Sequence, residues 1–364
     1  MTASTSRHGE LLIGLFLRHA GNRHYFANLE PYLLGLQDRP GTRIRILVPK
    51  GLNGQEEAPD YRGCTHLFDQ KLRVDDCDLV LTPTFLRPED RPGPRNPRTA
   101  VVQVFHGMSD KPFTYERDFR DYALCLCAGQ RQVDRLLAQP HNRKINWAKV
   151  GYPKFDGIAR TGVAARAGRP TLIYCPTWRK GGISSLERFL DHPEVVARLA
   201  ERYDILVKPH PNILNPDRPF YDASLVERLE RLPGTTLIRA GNVMPWQARA
   251  DLFLGDISAA GYEWLYFGRP MVFLNPQPGR LRPSTDAHAL TYLWQCGAVC
   301  DDPRELPRLV ERALAEDRHA EARETVLHYS VHRPRDGGAA DRAIGLLEER
   351  GLLSSAGPKR AADG

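Results

Sequence analysis

The chain has 364 residues, 41% hydrophobic and 26% charged, which suits a soluble globular protein of about two domains. No run approaches the ~18 apolar residues of a membrane span, and seven cysteines without zinc-like pairing exclude a disulfide framework. The net charge of +7 reflects either an arginine-rich composition or a basic face for phosphates and anionic headgroups; aromatic and basic residues do not interleave as nucleic-acid binding requires, which excludes that partner.

Short apolar runs at 11–17, 44–48, 79–81, 100–105, 123–127 and 148–150 read as strands. The N-terminal run is too short for a signal peptide and has no cleavage site, so the chain is expected in the cytoplasm. Cys125 and Cys127 lie two apart on one strand and read as packed thiols. The patternless "ARTGVAARAGRP" at 159–170 reads as a linker. Beyond it, runs at 171–175, 205–208, 236–238, 252–254 and 271–274 read as strands, and 186–202 and 221–231 carry helical spacing. Strands alternating with helices predict an α/β fold of parallel sheets. The expected domains are 1–165 and 166–350, two Rossmann-like units facing across a cleft, with 351–364 a disordered tail. In such sheets ligands bind at the carboxyl ends of strands.

Four stretches stand at those ends. "VFHGMSDKP" ends a strand at His106, where Gly107 lets the backbone turn and a ligand approach; the histidine is either a base or a strand cap bonded to backbone. "DILVKPHPN" holds His210 between two prolines on a stiff backbone, with Lys208 adjoining. "LIYCPTWRKGG" offers Thr177, Trp178, Arg179 and Lys180 before two glycines; Arg179 suits phosphate oxygens, and Trp178 reads as packing before base stacking. "DLFLGDISAAGYEWLYFGRP" predicts a strand, a tight turn and a helix over 259–267 ended by Gly268. Its N-terminus would offer amides to phosphate, with Ser258 adding a hydroxyl. Asp256 is either a helix cap, the preferred reading, or a ligand for a hydroxyl. Glu263, about one turn in, would reach a ribose or polyol hydroxyl.

In this order the motifs "FHG", "GYPKFD" (151–156), "CPTWR", "KPHP", "GDISAAGYEWLYFGRP" and "RDGGAADR" (335–342) resemble the CDP-glycerol glycerophosphotransferase family, which includes the teichoic-acid primases and polymerases and their capsule-polymer relatives. They cover most of the chain from about residue 100; upstream the likeness is loose, through "FLRHAGNRHYFANLEPYL". The resemblance implies a GT-B fold and transfer of glycerol phosphate, or a related polyol phosphate, from CDP-glycerol or another CDP-alcohol to a glycan or lipid-linked acceptor. It makes His106 the general base, with His210 beside it in catalysis. Arg179, Lys208, Asp256, Ser258, Ala259, Glu263 and Arg335 fall on the donor side, and His19, Asn22 and Gly107 on the acceptor side.

Three positions depart from the family pattern. Ala259 replaces a second serine, Ile257 a tyrosine, and Glu263 stands where aspartate is common. The lost hydroxyl removes a phosphate contact, so the donor could differ from CDP-glycerol. No metal cluster or cofactor motif is apparent, which makes metal-independent catalysis the expectation. Peripheral contact with an anionic membrane at the inner face is a further expectation. Two rivals stand beside this reading: a GT-B glycosyltransferase using a nucleotide-sugar donor, and a non-catalytic envelope-biosynthesis relative.

Overall fold

Leucine-rich and β-branched runs form twelve strands among the described residues, in two all-parallel sheets. The structure is a computed structural model that describes residues 10–17, 25–47, 74–87, 92, 98–162, 168–178, 180–216, 220–239 and 241–354. The first sheet holds β1 (Leu11–Phe16), β2 (Thr42–Leu47), β3 (Leu79–Thr82), β4 (Ala100–Gln103), β5 (Leu124–Cys127) and β6 (Trp147–Lys149), in the order β2-β1-β3-β4-β5-β6. The second holds β7 (Thr171–Cys175), β8 (Asp204–Val207), β9 (Thr235–Leu237), β10 (Leu252–Gly255), β11 (Met271–Leu274) and β12 (Ala298–Cys300), in the order β12-β11-β10-β7-β8-β9. All six residues of β1 are buried, as expected of a parallel strand covered on both faces.

Helices follow the strands: α1 (Glu30–Leu36), α2 (Gln130–Leu137), α3 (Lys154–Thr161), α4 (Leu186–Leu190), α5 (Pro193–Ala200), α6 (Pro211–Leu214), α7 (Ala223–Glu230), α8 (Met244–Gln247), α9 (Ala259–Trp264), α10 (Leu306–Ala315), α11 (Ala320–Ser330) and α12 (Ala339–Glu349). None among the described residues is long and apolar enough to cross a membrane. The 186–202 pattern is two helices, because Pro193 starts α5 at the position where proline is tolerated. The strand expected over 100–105 leaves the ladder after Gln103, where Phe105 takes a left-handed φ of 54°. β12, only three residues long, carries no pattern to read.

The chain divides differently from the expected 1–165 and 166–350. One unit is Met1–Gly107, Asp118–Gly157 and Asp336–Gly364; the other is Met108–Arg117 and Ile158–Arg335. α3 occupies the start of the expected linker, through Thr161. The return of the C-terminus to the first unit has a local cause. Asp156 accepts hydrogen bonds from the amides of Ala339 (3.2 Å) and Ala340 (2.8 Å) at the start of α12, and Arg342 Nε donates to the Val150 carbonyl at 3.0 Å. Ala343, Leu347, Leu352 and Leu353 join the core formed by β1 to β5. Residues 351–354 are thus part of the fold, and the rest of the expected tail lies outside the described residues. All six cysteines among the described residues are buried, and burial pushes the Cys125 thiol up to about 12.

Candidate active site

In the second unit β7 and β10 are neighbours, and the strand order reverses between them. At such a switch point the loops after the strands part and open a crevice. Cys175 pairs with Gly255, and Tyr174 with Val207, so the ends of β7, β8 and β10 reach one edge together. Thr177 and Trp178, Lys208 and His210, and Asp256 and Ser258 all follow those ends. Residues more than 70 positions apart in sequence converge there: Asp256 Oδ1 accepts from the Thr177 amide at 2.9 Å, and Oδ2 accepts from the Ser185 amide at 2.8 Å and its hydroxyl at 3.0 Å.

Asp256 therefore does not cap the helix, as the sequence had suggested. Its carboxylate turns back to the loop after β7, and Ser258 is the cap, accepting from the Ala260 amide at 3.3 Å. Ala259 opens α9, and Gly268 ends the following turn at φ 66°, a left-handed conformation that costs glycine little. Glu263 is buried on α9; Lys208, also buried, and Glu263 both act on the charge balance of the Cys175 thiol.

His210 caps α6. Its Nδ1 accepts from the Asn212 amide at 3.2 Å, which places the ring's hydrogen on Nε2 as a donor. The ring stacks on Trp178 at 6.0 Å and 24°, and Trp178 meets Phe220 edge-on at 4.9 Å. Trp178 thus packs between His210 and Phe220.

In the first unit the opposite arrangement holds. His106 Nδ1 lies 2.6 Å from the Pro83 carbonyl, which can only accept; Nδ1 carries the hydrogen and the basic lone pair is on Nε2. Tyr25 lies over the ring at 4.3 Å and Phe85 meets it edge-on at 5.5 Å. Pro83 follows β3, the neighbour of β1 at this sheet's own switch point. The turn that delivers His106 is strained, with Phe105 left-handed yet buried against Phe119 at 5.4 Å, and Gly107 at φ 137°.

Not every expected residue joins these constellations. His19, Asn22 and Arg179 lie outside the described residues. Arg335 is engaged elsewhere: its guanidinium makes a bidentate pair with Glu324 (2.6 and 2.8 Å) and donates to the carbonyls of Tyr266 (3.0 Å) and Leu265 (3.4 Å). Those carbonyls end the helix that Ser258 begins, so Arg335 caps its far end. Sequence reasoning missed Asp110, Lys111, Ser185 and Tyr262. Lys111 is buried in the second unit and donates to the Thr177 hydroxyl at 2.5 Å. Tyr262 donates to Asp110 Oδ1 at 2.5 Å, and the Leu293 amide to Oδ2 at 3.3 Å. Among the described residues no group of three or more His, Cys, Asp or Glu side chains is placed to hold a metal.

Two Rossmann-like units with loops gathered at switch points define a GT-B protein, and solved structures agree on the fold. The wall teichoic acid polymerase TagF matches with a TM-score of 0.65 at 14% identity, covering 96% of this chain and 91% of that one. The S. aureus MnaA–UDP co-structure matches at 0.58 and 12%, covering 97% and 100%. A UDP-N-acetylglucosamine 2-epimerase matches at 0.54 and 13%, covering 97% and 100%. No curated protein matches the sequence. A family model described as CDP-glycerol:poly(glycerophosphate) glycerophosphotransferase matches residues 93–349, and the chain belongs to that family of transferases.

Proposed function

We propose that the protein moves glycerol phosphate from CDP-glycerol to a hydroxyl of a cell-envelope glycan or lipid-linked acceptor, releasing CMP. The observation that carries this reading is the convergence of the β7, β8 and β10 loops around His210 and Ser258, in a chain of the glycerophosphotransferase family. The donor assignment is supported by a TagF structure soaked with CDPG.

In the proposed step the acceptor oxygen forms a bond to the phosphorus next to glycerol. The bond from that phosphorus to the bridging oxygen breaks in line, and CMP leaves with the electron pair. The acceptor proton passes to His106 Nε2, the nitrogen left basic by the Pro83 contact. Phosphoryl transfer asks the protein for positioning and charge neutralisation more than covalent chemistry. His210 Nε2–H, the Ser258 hydroxyl and the Arg179 side chain would supply this to the pyrophosphate. Lys208 adds positive charge at the same strand edge, and Glu263 would take a sugar or polyol hydroxyl. His19, Asn22 and Gly107 would face the acceptor. The net charge of +7 supports peripheral binding to an anionic membrane, which flotation with anionic liposomes at low salt tests; absence of binding overturns it.

The function is tested by CMP release from CDP-glycerol in the presence of a membrane extract, with CDP-ribitol and UDP-sugars alongside. Release from CDP-glycerol alone supports the proposal. UDP release from a UDP-sugar alone replaces it with a glycosyltransferase reading, and no release from any donor leaves a non-catalytic relative.

A further inference from the structure

The loop between β7 and α4 carries Trp178, and its two ends are tied to a single carboxylate. Asp256 takes the Thr177 amide on one oxygen and the Ser185 amide and hydroxyl on the other. The Ser184 hydroxyl donates to the Thr177 carbonyl at 2.8 Å, and Gln277 Nε2 to the Gly182 carbonyl at 2.8 Å. The Trp294 indole fixes the Asp256 carbonyl at 3.3 Å. Lys111 completes this arrangement. It enters on Met108–Arg117, a segment remote in sequence from the rest of the second unit, and its ammonium reaches the Thr177 hydroxyl. Asp110, bound by Tyr262 and Leu293, anchors that segment one residue earlier.

We propose that Lys111 is a positioning residue for donor binding: with Asp256 it clasps the 177–185 loop through Thr177 and so sets Trp178 against His210. This rests on the transferase reading and adds to it a residue that touches no substrate. A buried ammonium donating to a buried hydroxyl beside a buried carboxylate is an arrangement that a hydrophobic pair of similar volume commonly outperforms in stability.

The protonation behaviour agrees. Burial pushes Asp256 up from 3.8 to about 6, although the Ser185 and Thr177 hydrogen bonds and the Lys111 charge pull it down. Burial pulls Lys111 down from 10.5 to about 8, against the charges of Asp256 and Asp110. Asp256 is a carboxyl whose folded value is raised, so its contribution to stability is present at low pH and lost as pH rises through about 6. Lys111 is a base whose folded value is lowered, so its contribution grows only as pH rises past about 8. Between the two values both groups are charged and neither gains stability from it. Asp256 in turn acts on Tyr174 and Cys175 of β7; Glu187 of α4 also acts on Tyr174, and Lys208 from the end of β8 and Glu263 from α9 act on Cys175.

The test uses full-length protein labelled with 5-fluorotryptophan, the Trp178 resonance being assigned with Trp178→Phe. The wild-type resonance is expected to titrate near the Asp256 value. In Lys111→Met the midpoint rises by about half a pH unit or more, since a neighbouring positive charge is gone. In Asp256→Asn the transition disappears. By calorimetry Lys111→Met and Thr177→Val bind CDP about tenfold more weakly near neutral pH, the worth of one charge-assisted hydrogen bond. Thr177→Ser, which keeps the hydroxyl, binds as wild type. A folded Lys111→Met with the wild-type midpoint and CDP affinity overturns the proposal, as does an equal loss of affinity at every pH. Should Lys111→Met fail to fold, Thr177→Val and Thr177→Ser decide on the same criteria. A wild-type protein that binds no CDP overturns the transferase reading, and the fluorine titration then judges the clasp alone.

Discussion

Each unit presents a histidine just beyond a parallel strand, and the two rings are held in opposite proton arrangements. His106 gives its Nδ1 hydrogen to the Pro83 carbonyl, whereas His210 receives the Asn212 amide on Nδ1. The first ring offers a lone pair at Nε2 and the second a donor. A backbone partner on one nitrogen thus decides what the other can do, a distinction that residue identity alone does not carry. The settings differ as well. His106 arrives on a strained turn under Tyr25 and Phe85, while His210 begins a helix between two prolines and lies against Trp178.

If this contrast is functional, the two rings fail differently when removed. His106→Ala is expected to lower the rate of CMP release by about a thousandfold, the usual worth of a positioned base, while CDP affinity by calorimetry stays at the wild-type level. His210→Ala should cost about a hundredfold and weaken CDP binding, since a donor to the pyrophosphate is gone. His210→Asn sharpens the comparison, because its carbonyl oxygen can still accept from the Asn212 amide while its amide group donates. It is expected to recover part of the loss; recovery by His106→Asn as well would erase the contrast.

Two smaller effects separate structural residues from site residues. Asp156→Ala leaves two amides of α12 without their acceptor and should lower unfolding stability by about 1–3 kcal/mol in denaturant titration, with CDP affinity unchanged. Arg335→Ala removes a half-exposed pair with Glu324 and is expected to cost no more than about 1 kcal/mol. A clear loss of CDP affinity in Arg335→Ala would return that arginine to the donor site.

Most strands were legible because parallel strands buried on both faces read as continuous apolar runs; those at 171–175 and 271–274 match residue for residue. The switch-point loops were legible for a related reason, since glycines, prolines and histidines clustered where those runs stopped. What escaped depends on contacts distant in sequence. The C-terminal helix belongs with the first unit because Asp156 caps it and Ile344 fills the space left by Gly35, where an added Cβ would come within 2.4 Å. Lys111 carried no signal of its own, since lysines are usually exposed, and only the packing around Thr177 and Asp256 buries it. Asp256 was correctly placed at the turn but assigned the wrong partner. Capping needs a side chain directed at the helix amides, and this carboxylate points to the loop after β7.

The most direct test of the account is CMP release from saturating CDP-glycerol by wild type and His106→Ala, with a membrane extract supplying the acceptor and CDP binding measured on the same preparations. The account predicts release by the wild type, loss of release in the variant and equal CDP affinity in both. Release at the wild-type rate by a folded His106→Ala would contradict it.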